Sequence, residues 1–249
     1  MSRLLYVVLV VMSLTACTSV TEKQKARLDY QVQTEMYKTA HCEPETDACL
    51  MASITYPRFT KGDSLAVLLA NRIIKNSILD ALGMGEAEGT TDFGITGALA
   101  ELDKEFVQLK RDFNTYSTGW SIEIDSRELY RSDTMLVLEV NYMVFTGGAH
   151  GNHTTRYFNF HRHTGRLVSL PAFAGNLNDF TSRAEFVFRK TYHLPAEATY
   201  EEAGFSFLGN TFTLPANYAF LGDSLRLHYN PYEIAPYAAG DFTITVAVE

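Results

Sequence analysis

The chain has 249 residues, 46% of them hydrophobic, with 21 Lys and Arg against 29 Asp and Glu for a formal net charge of −8. That is enough apolar material for one large domain or two small ones. The acidic balance argues against nucleic acid as a partner, since phosphate binding rests on clustered Lys and Arg; it permits a cationic protein partner without demanding one.

At the start, Arg3 and the amino terminus precede an apolar run from Leu4 to Leu14 that ends at Leu14-Thr15-Ala16-Cys17. The run is shorter than the roughly 20 apolar residues a bilayer-crossing helix needs, and so predicts a signal h-region that is removed. Its last four residues resemble a bacterial lipobox, which implies lipidation of Cys17 and a signal peptide over 1–16. Acyl chains on that cysteine, at roughly 0.8 kcal/mol per buried methylene, make a lasting membrane anchor. The alternative is an ordinary signal peptide followed by a chance cysteine. Thr18 stands where lipoproteins kept at the inner membrane often carry Asp, which implies the outer membrane, facing the periplasm.

With Cys17 acylated, Cys42 and Cys49 remain, and an even pair in an exported chain predicts a disulfide that staples the start of the domain. Two free thiols or half of a metal site are the alternatives, though no further cysteine exists to complete a zinc set. Residues 17–46 are polar, lack a sustained apolar period and suit a tether.

Ile54-Thr55-Tyr56-Pro57 reads as a short strand ended by Pro57. Asp63 or Ser64 then caps a helix running to Leu82, with Leu65, Leu69, Ile74 and Ile78 on its buried side and Gly83 as the stop. After a glycine-rich acidic loop, Thr96 opens a second helix in which Leu99, Leu102, Phe106, Leu109 and Phe113 recur at helical spacing, leaving Asp103, Lys110 and Arg111 outward. The period then changes to two. Trp120, Ile122 and Ile124 alternate with Ser121, Glu123 and Asp125, and Leu136, Leu138, Val140, Tyr142 and Val144 mark one face of a long strand. A hairpin at Thr164-Gly165, a helix from Asn178 to Tyr192, and strands at Leu225–Tyr229 and Phe242–Val248 complete the pattern. These elements predict an α+β fold with helices on a largely antiparallel sheet, divided into a small helix-rich companion domain over 47–116 and a closely associated α+β domain over 117–249.

The order Thr146-Gly147-Gly148-Ala149-His150-Gly151, Asn159-Phe160, Thr164-Gly165-Arg166-Leu167 and Tyr229-Asn230-Pro231-Tyr232-Glu233-Ile234-Ala235-Pro236-Tyr237 resembles the extracytoplasmic region of the anti-sigma factor RsiV. That region is shared with the non-catalytic N-terminal part of the peptidoglycan deacetylase PdaC. Upstream, Tyr56-Pro57 and the helix containing Asn71 resemble the smaller companion domain of the same family. The resemblance covers residues 48 to 249 and implies a binding module whose ligand is a lysozyme-like protein or peptidoglycan. RsiV-like proteins have a cytoplasmic segment and a membrane helix before this region, and PdaC-like enzymes a separate catalytic domain after it. Neither is read here, so the expectation is no sigma factor, no catalysis and no cofactor.

The candidate binding residues are Gly147, Gly148, His150, Tyr232 and Tyr237. The glycines permit a positive φ or a close backbone approach, and tyrosines beside Pro231 and Pro236 could anchor a partner. Alternatively, His150 caps its turn and the tyrosines only pack the loop, their hydroxyls bonded to backbone. A reading from another class takes His150, His153, His161 and His163 as a zinc cluster of a hydrolase. It lacks a His-Glu-x-x-His helix or a Gly-x-Ser-x-Gly elbow, and the family it resembles usually has Asp where His161 stands. A structural lipoprotein is the third possibility.

Overall fold

The computed structural model describes residues 26–85, 94–113, 117–195 and 197–248. The signal segment, Cys17 and the first part of the expected tether lie outside the described residues. Among the described residues, no helix is long and apolar enough to cross a membrane.

The fold is α+β, as the patterns predict. A five-stranded sheet runs in the order β1 (Asp29–Lys38), β2 (Leu50–Lys61), β3 (Trp120–Arg131), β4 (Met135–Phe145) and β5 (Asn152–His161). All its pairs are antiparallel except β2 with β3, and that parallel pair is joined by the long crossover through helices α1 (Ser64–Ala81) and α2 (Ile95–Asp112). The two helices cover one face. Ile54, Phe59, Ala70, Ile74, Leu99, Phe106, Ile122, Leu136, Leu138 and Phe160 form part of a single core there.

β1 corrects the tether. Residues expected to span the gap between membrane and domain form a ten-residue strand paired along its length with β2. Cys42 and Cys49 form the expected disulfide, and it closes the loop between β1 and β2. β2 continues through Pro57 instead of ending there. Pro57 lies past Ile54, the last residue paired with β3, so its missing N–H takes nothing from that ladder.

Helix α1 begins where Asp63 accepts hydrogen bonds from the backbone of Leu65 and Ala66. Its buried stripe is Ala66, Ala70, Ile74, Ser77 and Ile78, whereas Leu65 is 68% exposed. The register therefore differs from the leucine-based one. Small side chains let the helix lie close to the sheet, and the Asn71 amide ties it there through the Phe59 N–H (2.8 Å) and carbonyl (2.9 Å). In α2, Leu99, Leu102 and Phe106 are buried as expected, but Phe113 is exposed. Two of the expected outward charges are engaged: Asp103 accepts from the Tyr37 and Thr39 hydroxyls, and Lys110 donates to the Ala48 carbonyl.

The C-terminal unit is a three-stranded antiparallel sheet of β6 (Asn217–Phe220), β7 (Ser224–Tyr229) and β8 (Phe242–Ala247). Before it come the short helix α3 (Leu170–Ala174) and α4 (Leu177–Thr191). Asn176 caps α4 by accepting from the Asn178 and Asp179 N–H groups. The hairpin expected at Thr164-Gly165 is a tight turn whose return strand shrinks to a single bridge, Phe160 with Leu167. Because β3, β4 and β5 belong to the same sheet as β1 and β2, the structural division falls after that turn and not at residue 116.

Candidate functional site

The two units meet along β5, the edge of the larger sheet. An exposed edge offers unpaired N–H and C=O groups, and here asparagine side chains take the place of a sixth strand. The Asn217 amide accepts from Tyr157 N–H (2.8 Å) and donates to the Thr155 carbonyl (2.7 Å). Asn159 reaches the other way, donating to the Tyr218 carbonyl (2.7 Å) and accepting from Phe220 N–H (2.8 Å). Asn230 accepts from Thr155 N–H (2.7 Å). Each amide carries both a donor and an acceptor, so it can stand in for a peptide group.

Beside this splice, Glu139 of β4 is 4% exposed. It holds Arg127 through two hydrogen bonds of 2.6 and 3.0 Å, and Arg226 of β7 stands at 3.7 Å. Burial pushes its carboxyl up, but the bonds from Arg127 and Asn141 and the charge of Arg226 outweigh that and hold it below the usual glutamate range.

At the other end of β5 the seam opens into a cleft of about 510 Å³. One wall comes from the end of α1 with Asp80, Leu82 and Gly83, another from β4 and β5 with Tyr142, Asn152, His153, Thr154 and Arg156, and the third from Pro231, Tyr232 and Tyr237. Of the expected binding residues, Tyr232 and Tyr237 line the cleft, and His150 adjoins it through Tyr237. Gly147 and Gly148 adopt φ values of 97° and 95°, turning the β4–β5 loop so that the His150 ring stacks on Tyr237 with centroids 3.8 Å apart and planes 14° from parallel. The His150 Nδ1 lies 3.0 Å from the Gly151 carbonyl, and the Tyr237 hydroxyl donates to that same carbonyl at 2.7 Å. His150 and Tyr237 thus both cap and pack. Tyr232 differs: it is 64% exposed and holds the left-handed region at φ 72°, a conformation that costs a bulky residue free energy and that clusters at functional sites. Its ring lies 5.5 Å from that of Tyr237.

Several cleft residues were not anticipated. Arg156 lies over the Tyr142 ring at 5.6 Å, and its Nη1 contacts Ser77 Oγ (3.2 Å) and Asp80 (3.4 Å). Tyr142 is buried, which pushes its hydroxyl up to about 12. Below the rim, Asp241 stands between two imidazoles, 3.8 Å from His153 Nε2 and 3.6 Å from His228 Nε2. No strand was expected over Asn152–His161, and no local signal pairs residues so distant in the chain.

The four histidines considered as a zinc cluster do not converge. His150 and His153 lie at the cleft. His161, at the far end of β5, and His163 stand together with centroids 5.7 Å apart. Eight steps along the strand from His153 to His161 put the pairs roughly 26 Å apart at about 3.3 Å per residue. Among the described residues, no group of three or more His, Cys, Asp or Glu could hold a metal ion.

Residues 43–153 match the family model described as deacetylase PdaC. Residues 177–249 match DUF3298, a family of unknown function. The first match takes in β2 through β4 and ends in the cleft at His153; the second takes in α4 and the DUF3298-like sheet with Tyr232 and Tyr237. The likeness to PdaC is thereby shown for the first segment, and that of the second is shown at the level of DUF3298. Two solved structures share the fold. A DUF3298 family protein from Pseudomonas aeruginosa PAO1 has a TM-score of 0.64 at 17% identity, covering 88% of this chain and 90% of that one. A DUF3298 family member from Bacteroides fragilis NCTC 9343 has a TM-score of 0.65 at 19% identity, with the same coverage of 88% and 90%. No curated protein matches the chain at a significant level.

Proposed function

We propose that the chain is a binding module of the bacterial envelope, anchored through lipid on Cys17, facing the periplasm from the outer membrane and without catalysis of its own. The observation that carries the reading is the cleft at the junction of the PdaC-like and DUF3298-like segments, where an exposed tyrosine and a half-exposed arginine face the same open space. Such a site suits a ligand that offers both an apolar face and polar edges. Peptidoglycan fits that description, and the resemblance to the RsiV and PdaC extracytoplasmic regions supports the same class. A lysozyme-like protein is the second reading, favoured by the net charge of −8, which steers a cationic partner.

The test combines location and binding. Labelled palmitate should enter the chain in cells, and a Cys17→Ser variant should lose the label and leave the membrane fraction. The detergent-purified chain should be retained on isolated cell-wall sacculi or on immobilised lysozyme. Absence of label together with recovery in the cytosol defeats the anchor, and no retention on either matrix defeats the binding module.

A further inference from the structure

We infer that the cleft recognises a sugar that carries a carboxylate, with Arg156 taking the carboxylate and Tyr232 the face of the ring; this rests on the binding-module reading and names its ligand class.

The volume of about 510 Å³ falls within the range of small-molecule sites, about 300–1,000 Å³. Arg156 supplies the charge. Both of its hydrogen bonds run through Nη1, so among the described residues the Nε and Nη2 edge makes none. That edge is the fork that binds a carboxylate through two parallel hydrogen bonds. The Tyr142 ring beneath the guanidinium holds its plane, and Tyr142 is itself held by Ser77. The fork is therefore pre-organised while its outer edge remains available.

The neighbouring carboxylate decides between anions. Asp80 stands 3.4 Å from Arg156 Nη1 with its side chain 48% exposed. A dianionic phosphate would meet that charge at close quarters, whereas a single carboxylate carries half the repulsion and matches the fork in shape. Tyr232 supplies the other half of recognition. Its ring is exposed, its backbone held at φ 72°, and its flat surface suits the C–H face of a pyranose ring. Asn152 and Thr154 make no side-chain hydrogen bond among the described residues, and offer amide and hydroxyl partners for the sugar's own hydroxyl or acetamido groups.

The experiment is calorimetry on the detergent-purified full chain with the disaccharide of N-acetylglucosamine and N-acetylmuramic acid, its methyl ester, and inorganic phosphate. The free acid should bind, and the ester should bind roughly tenfold more weakly or worse, as the loss of a charge-assisted pair implies. Arg156→Gln should weaken the acid to the level of the ester and leave the ester unchanged; Tyr232→Ala should weaken both. Asp80→Asn keeps the test open if Arg156→Gln disturbs folding, because removing the competing charge should tighten the acid several-fold, about 1 kcal/mol or less. Equal binding of acid and ester overturns the inference, as does displacement of the acid by millimolar phosphate or an Arg156→Gln effect that falls equally on both sugars. Silence from both sugars while sacculi or lysozyme still retain the chain defeats the sugar and spares the module. Silence everywhere defeats both.

Discussion

In the larger unit, five strands are covered by two helices of 18 residues, and the core beneath them is built largely from Ile, Leu and Ala. The C-terminal unit has strands of 4, 6 and 6 residues and one helix of 15. Its core is aromatic: the Phe188 ring touches those of Tyr192, Tyr200, Phe205, Phe207, Phe212 and Tyr229, with centroids 4.8 to 6.3 Å away. A short sheet supplies few backbone bonds and little area per strand, and large rings recover the missing burial from loop residues that no strand could bring inward. Regular pairing stabilises one unit, and side-chain bulk the other. Between them, asparagine amides hold the seam, joined by the Tyr130–Phe220 ring contact and the Arg226–Glu139 pair.

Phe188→Ala breaks the second unit at its centre. The ring is fully buried, so the substitution should cost about 3–5 kcal/mol. In urea unfolding, intrinsic fluorescence from Trp120, which lies in the first unit's core, should report a transition displaced from that of far-ultraviolet dichroism. Coincident transitions would mean that the two units unfold as one body despite their different cores.

Gly165→Ala strikes the larger unit from its turn. Gly165 has φ 67°, and a Cβ there would collide with the carbonyl of Ala66 in the first turn of α1. Positive φ and backbone overlap together should cost about 2–4 kcal/mol. A midpoint within error of wild type would show that the turn can move away from the helix.

Asn217→Ala tests the seam. It leaves the Tyr157 N–H and the Thr155 carbonyl without their partner, at about 1–3 kcal/mol in total. Asn217→Asp is the sharper variant, because it keeps the acceptor for Tyr157 but sets an anionic oxygen against the Thr155 carbonyl. It should be at least as damaging as alanine. A harmless Asn217→Asp would mean that the amide does not bridge the units, and hydrogen exchange at the β5 amides would then be unaltered in both variants.

What the sequence disclosed follows the same division. β3 and β4 announced themselves because alternate residues face a core, and α1, α2 and α4 because an apolar stripe has to repeat every turn. β1 was illegible. Gln31, Gln33 and Glu35 make it polar, most of its residues stay partly exposed, and only its pairing with β2 makes it a strand. Leu65 misled because the largest apolar residues need not face the sheet when Ala66 and Ala70 allow a closer approach. The candidate site was half legible. Tyr232 and Tyr237 line the cleft and His150 stacks on Tyr237, whereas Gly147 and Gly148 only turn the loop beside it; Arg156, Asn217 and Asp241 act through partners far away in the chain, a relation that periodicity does not encode.

The smallest effect belongs to His228, the one imidazole buried at the base of the seam. It is 3% exposed; Nδ1 lies 2.8 Å from Thr243 Oγ1, and Nε2 has no hydrogen-bond partner among the described residues. Burial lowers its pKa below the ordinary 6.5, although Asp241, Asn230, Glu233 and Glu139 oppose that shift. The sign follows from proton uptake. Below the unfolded value, the unfolded chain binds a proton that the folded chain refuses, so stability is full above it and declines as pH falls from there towards the folded pKa. Between about pH 7.5 and about pH 5.5, wild-type urea midpoints should therefore fall more steeply than those of His228→Gln, whose side chain cannot charge in that range. Parallel midpoints would show that His228 accepts its proton as readily folded as unfolded, with Asp241 at 3.6 Å compensating fully for burial.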